Sequence, residues 1–289
     1  MAALPQRLRQ WQAQSGASRR LSAVASATAD TAMPAISDSV RALVRRRQQL
    51  QLGSVPAFDP YPPALPGKEI APGLRLIEQR LEGIEPPIAW IDPWFAGQTV
   101  PVQRAQLFHI DTETTGLAGG SGARAFMIGV ADWWDQALRL RQLTLTRISA
   151  EPLMLATLAS WLDPNRVLVS YNGKSYDLPL LASRYRLAGQ TNPLQGLRHL
   201  DLLHPVRRRW KTSWDNCRLA TAERQLLGIV REDDLPGAEA PAAWLAWLRH
   251  GQTRNLCRVH QHNAQDLASL AGVLRHLSSL PPAPLGSPP

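Results

Sequence analysis

A chain of 289 residues, 44% hydrophobic and 19% charged, can bury a full core in one or two soluble globular domains. It has no apolar run near the roughly 18 residues that span a bilayer, no signal-peptide hydrophobic core, and two cysteines without CxxC spacing, which argues against a zinc ribbon or redox motif. The formal charge of +9 makes polyanions, nucleic acid or an anionic membrane surface, the candidate partners, with a generally basic soluble protein as the alternative.

Residues 1–58 hold eight Arg and two Asp and read as a basic, weakly ordered segment. Their Arg-, Ala- and Ser-rich start has a faint transit-peptide composition, but the expected location is cytoplasmic. Ser37–Leu52 is a predicted helix whose Arg45–Arg47 run is either a solvated face or a phosphate contact. Residues 59–100 read as a Pro-rich linker and a small cap, with one strand over Gly73–Leu81. The body spans residues 101–280, and residues 281–289 (PPAPLGSPP) form a disordered tail.

Within the body, apolar runs predict strands at Leu107–Asp111 and Ala125–Trp133, and alternation predicts a half-exposed strand at Leu138–Thr146. Gly116–Gly122 (GLAGGSG) is a flexible loop. A helix capped by Ser149 runs to Trp161, followed by a strand at Arg166–Tyr171, a helix at Asp177–Leu187 and a strand at Leu197–Leu203. Helices then cover Leu219–Leu227, Ala242–His250 and about Leu256 to Leu277. Three strands followed by alternating helix and strand predict an α/β fold, a mixed five-stranded sheet flanked by helices.

Four acids from distant stretches stand where one face of each element should be buried: Asp111 and Glu113 in LFHIDTETTGL, Asp177 in YNGKSYDLPLL and Asp266 in HNAQDLASL. Buried carboxylates need cations to hold them. Asp111 and Glu113 are two apart on a strand and share a face, so hard divalent ions, Mg²⁺ or Mn²⁺, suit the all-oxygen set. Two such ions would hydrolyse a phosphodiester by clamping its attacking and leaving oxygens. Alone, DxE is weak, and Asp177 also fits a helix N-cap.

His262 and Asp266 are i and i+4 on the last helix, which suits His262 as a general base, with a plain core or surface imidazole as the alternative. His260 points away from His262 on that helix. Thr114, Thr115 and Gly116 offer backbone and hydroxyl contacts to substrate, and Leu117 a wedge against a base. Asn172, Lys174 and Tyr176 flank Asp177 as further candidates. The basic run Arg207, Arg208 and Arg209, beside Trp210 and Trp214, reads either as a strand-tracking surface or as a basic loop anchored by its tryptophans.

DxE, NGxxxD and a final-helix HxxxD, in this order, resemble the DEDD superfamily of 3′–5′ exonucleases on the ribonuclease H-like fold. DTETTGLAGGSGARAFMIGVA, YNGKSYDLPLL, LDLLHPVRRRW, CRLATAERQLLGI and HNAQDLASLA resemble more closely the YprB-type ribonuclease H-like family, over about residues 105–275. The resemblance implies metal ligands at Asp111, Glu113, Asp177 and Asp266 and a DxE strand at the sheet's centre. The histidine branch of the superfamily has its His where this chain has Gln261, and the tyrosine branch has its Tyr at the place of His262. Asp201, in LDLL, is a possible secondary acid near the site.

The expectation is a metal-dependent nuclease, a 3′–5′ exonuclease acting on DNA or RNA with a single-stranded 3′ end favoured, and no named protein partner. The alternatives are a non-catalytic nucleic-acid-binding module and a structure-selective endonuclease using the same metal site.

Overall fold

The computed structural model describes residues 64–86, 89–116, 122–232 and 234–281. The expectations for residues 1–58, for most of the C-terminal tail and for Leu117 lie outside the described residues.

The main sheet has seven strands: β1 (Lys68–Ala71), β2 (Leu74–Leu81), β5 (Leu107–Thr114), β6 (Ala125–Trp134), β7 (Ala137–Leu145), β8 (Val167–Ser170) and β9 (Arg198–Asp201). A two-stranded sheet pairs β3 (Trp90–Ile91) with β4 (Val102–Gln103). The main order is β1-β2-β7-β6-β5-β8-β9, antiparallel from β1 through β5 and parallel from β5 to β9. The strand count therefore exceeds the expected five. The five predicted strands of the body are all present with β5 at their centre, and a hairpin turning at Gly73, φ +86°, adds two strands along β7. Pairing along a strand edge leaves no mark in hydrophobic alternation, which reports faces and not neighbours.

The helices are α1 (Glu151–Ser160), α2 (Asp177–Leu187), α3 (Leu203–Trp210), α4 (Leu219–Ala222), α5 (Ala240–His250) and α6 (Arg254–Ser279), with a π-helical turn at Glu223–Leu227 continuing α4. Ser149 does not cap α1: it lies in a 3₁₀ turn, and Pro152 occupies the first turn of the helix. The Arg207–Arg209 run is helical, ending α3, where cations complement the exposed carbonyls.

Each face of the sheet carries a core. Phe108, Ile110, Leu143 and Leu145 meet Leu155 of α1, Leu181 and Tyr185 of α2 and Trp244 of α5. Leu107, Leu138, Leu140, Val167 and Val169 share the second cluster with Leu267, Ala268 and Leu274 of α6. β7 is not half-exposed. The alternation slips phase at Arg141–Gln142, and its polar residues from there on are buried: Arg141 over the Trp161 ring, Gln142 and Thr144 beneath α6. Among the described residues no helix is long and apolar enough to cross a membrane.

Candidate active site

β5 pairs β8 only from Leu107 to His109, so Asp111 and Glu113 extend past the end of its parallel neighbour. On the other side they remain paired, Asp111 with Gly129 and Glu113 with Met127, and a bulge follows between Glu113 and Thr114. The carboxyl ends of β5 and β8 therefore form the rim at which a parallel sheet switches direction, the usual place for a ligand site in α/β proteins. Glu113 is buried there.

The turn after β8 brings in the third acid. Asn172 takes a left-handed conformation (φ 69°), and Gly173 packs so tightly that an added Cβ would overlap Ser170 Oγ and lie 3.2 Å from Asp177 Oδ2. The turn is held from β9: Asp201 Oδ1 accepts from the backbone N–H of Asn172 at 2.7 Å and Oδ2 from that of Lys174 at 3.0 Å. Ser170 Oγ accepts from Gly173 N–H at 3.1 Å and lies 2.8 Å from His199 Nε2. Asp177 then opens α2 with its side chain buried. It does not act as the N-cap, a position filled by Tyr176, but accepts a 2.5 Å hydrogen bond from Thr112 Oγ1.

α6 supplies the rest. Asn263 Nδ2 donates to Asp111 Oδ2 at 2.8 Å. His262 Nδ1 lies 2.7 Å from Asp234 Oδ1, and its Nε2 lies 3.7 Å from Asp266 Oδ2. Arg231 donates to Asp266 Oδ1, forms a bidentate pair with fully buried Glu223 at 2.6 and 2.7 Å, and reaches Asp234 at 3.2 Å. A cleft of about 250 Å³ beside this group is lined by Val230, Arg231, Arg258, Gln261 and His262 among others. His260 points the other way, buried against Thr144, and burial pushes its imidazole down to about 3.

The four acids lie close enough for their charges to repel one another. Burial holds Asp111 well above the usual carboxylate range, and the charges of Asp266, Asp177 and Glu113 each push it further. Glu113 is raised to about 8, first by burial and then by Asp266 and Asp177, against the pull of His262. Burial raises Asp177 to about 6, with the Thr112 hydrogen bond opposing. Burial alone would lower His262, yet the hydrogen bond to Asp234 and the charges of Asp266 and Glu113 raise it to about 9. Among the described residues no arginine or lysine pairs with Asp111, Glu113 or Asp177, whereas Asp266 has Arg231.

The donor chemistry fits hard divalent ions: three crowded, buried carboxylates repel one another, among the described residues no arginine or lysine pairs with them, and the pull of His262 on Glu113 offsets the repulsion only in part. Among the described residues, however, no group of three His, Cys, Asp or Glu side chains is arranged to hold an ion.

The remaining candidates separate. Thr114 Oγ1 donates to the Gly116 carbonyl, and Thr115 closes the loop base, its N–H on the Arg124 carbonyl and its Oγ1 accepting from Arg124 N–H. Both hydroxyls are thus engaged within the loop. Lys174 and Tyr176 are exposed on the Asp177 turn. Arg207, Arg208 and Arg209 are exposed on α3, and Arg208 donates to the Phe95 carbonyl. Trp210 and Trp214 stack on each other at 4.8 Å and pack on the core, which makes them anchors of this segment. The sequence reading passed over Gln142, Glu223, Arg231 and Asp234. Their only signals are the phase slip in β7 and acids crowded around Arg231 in a Gly/Pro-flanked stretch.

Comparison with known proteins gives one matching family model, described as the RNase_H superfamily, over residues 108–278. YprB of Bacillus subtilis (strain 168) is 36% identical over 173 residues, 60% of this chain and 42% of that protein. The chain thus spans less than half of the curated relative it matches. Among solved structures, Escherichia coli exonuclease I in complex with a dA16 oligonucleotide aligns with a TM-score of 0.35 at 13% identity, over 56% of this chain and 45% of that one. Brucella melitensis NrnC with bound Mg²⁺ aligns at 0.30 and 16%, over 61% and 84%.

Proposed function

Given that the chain belongs to the RNase H superfamily, we propose that it is a metal-dependent nuclease, and specifically a 3′–5′ exonuclease on single-stranded DNA or RNA ends. The observation that carries this reading is the crowding of Asp111, Glu113, Asp177 and Asp266 at the open end of β5, where Asp177 and Asp266 repel the charges of Asp111 and Glu113, with Arg231 on Asp266 only among the four.

In this reading the four acids hold two divalent ions, Mg²⁺ or Mn²⁺, which when bound supply charge for the scissile phosphate and acidify the attacking water. Thr112 fixes Asp177, and Asn263 fixes Asp111. His262 is the proton acceptor. Asp234 holds its Nδ1, leaving Nε2 to face Asp266 and the site. The surrounding carboxylates keep a proton on the ring near neutral pH, so His262 accepts one from water only when their charge is neutralised. Lys174 and Tyr176, exposed beside Asp177, flank the path of an incoming strand.

The test is degradation of 5′-labelled single-stranded DNA and RNA with Mg²⁺, Mn²⁺ or EDTA, beside the Asp111→Asn protein. A metal-dependent ladder shortening from the 3′ end, absent in Asp111→Asn, is expected. Cleavage that persists when the 3′ end is blocked replaces the exonuclease with an endonuclease. Salt-sensitive binding without any cleavage leaves a binding module.

A further inference from the structure

Asp111, Gly129 and Gln142 lie in one row across β5, β6 and β7. Gly129 leaves a gap in that row, and the Asn263 side chain of α6 fills it: a Cβ at Gly129 would overlap Asn263 Oδ1. Gln142 and Asn263 are both fully buried.

The hydrogen bonds in this row have a fixed direction. Gln142 Nε2 donates to the His260 backbone carbonyl at 2.9 Å. A carbonyl only accepts, so the amide nitrogen of Gln142 must face it. The same nitrogen donates to Asn263 Oδ1 at 2.8 Å, which turns Asn263 Nδ2 toward Asp111 Oδ2, also at 2.8 Å. A backbone atom of α6 thereby dictates, through two side-chain amides, that Asp111 meets a donor. The other charges acting on Asp111 are anions, Asp266, Asp177 and Glu113, and without that donor their repulsion would turn its carboxylate aside.

We propose that Gln142 and Asn263, seated over Gly129, are positioning residues that aim the Asp111 carboxylate for divalent-metal binding. This rests on the nuclease reading above. Partners of this kind, one step behind a ligand, typically change metal affinity by about 10–100-fold.

Mn²⁺ is titrated calorimetrically into the full chain and into Asp111→Asn, Asn263→Leu, Gln142→Met and the double variant, with melting temperatures taken in EDTA. Wild type is expected to bind and Asp111→Asn to lose binding. Asn263→Leu and Gln142→Met should each weaken binding about 10–100-fold, and the double variant no further than Asn263→Leu, because both act through one path. Lowered melting temperatures with unchanged Mn²⁺ affinity overturn the proposal and leave the amides a packing role. Should Asn263→Leu not fold, Gln142→Met decides alone, since Gln142 donates to no carboxylate. A wild type that binds no Mn²⁺ defeats the nuclease reading itself, and the positioning role with it.

Discussion

Arg231 commits its guanidinium to Glu223, Asp234 and Asp266. Glu223 is wholly buried, and its only other side-chain partner among the described residues is the Ser269 hydroxyl, at 2.5 Å. Removing one member of a buried pair strands the other's charge, at a cost of about 3–5 kcal/mol. Arg231→Leu should therefore lose about that much in chemical denaturation, whereas Arg231→Leu combined with Glu223→Leu should recover part of it. A single variant as stable as wild type would show that Glu223 finds another partner. A second buried acid gives a pH test. Asp132 is desolvated, yet Arg139, Arg141 and Arg166 hold its carboxyl below the usual range. A depressed folded pKa stabilises above the unfolded value, near about 3.9, and that contribution fades as pH falls through the folded pKa. Asp132→Asn should thus be less stable than wild type at pH 7, with the gap closing below about pH 4. A gap constant from pH 7 to pH 2 would show that the cluster acts through packing alone.

The turn between β8 and α2 works as a unit because β9 holds it. Asp201 accepts from three backbone N–H groups, those of Asn172, Lys174 and Leu203. An unpaired buried donor costs about 1–3 kcal/mol; the Leu203 donor is buried and those of Asn172 and Lys174 partly so, so Asp201→Ala should lose about 3 kcal/mol. It should also lower cleavage more than stability explains, since the turn carries Asp177. Wild-type cleavage by a destabilised Asp201→Ala protein would separate the turn from the site. This also bears on what the residues announce in advance. DTET, NGKSYD and HNAQD point to the candidate site because strand and helix periodicity tell which of their side chains face inward. Asp201 was visible as an acid but not as a clamp, since its partners are backbone groups from 27 and 29 residues away. The β1–β2 hairpin joins the sheet by an edge, and edges have no hydrophobic signature. Gln142 left one trace, the phase slip that turns it toward α6, and Arg231 left only a charge in a stretch that looks like surface. What was missed in the candidate site consists of polar residues whose meaning depends on partners distant in sequence.

Over the whole chain the charge of +9 survives the concentration of acids at one rim. Arg207, Arg208 and Arg209 form an exposed basic run at the end of α3. α3 begins two residues after Asp201, so the chain that clamps the Asp177 turn leads directly into the helix that ends in this basic face. Trp210 and Trp214 are stacked on each other and packed on the core, which leaves charge and not stacking as what this surface offers a strand. Arg208 is tied to the Phe95 carbonyl, so Arg207 and Arg209 are the residues to remove. In an Asp111→Asn background that keeps the substrate intact, binding of a single-stranded oligonucleotide should weaken linearly in log salt. Each lost phosphate contact should lower the slope by about 0.7. Arg207→Gln with Arg209→Gln should then flatten it by about 1.4. An unchanged slope would mean that the strand follows another path, and the basic residues 1–58 would become the next segment to test.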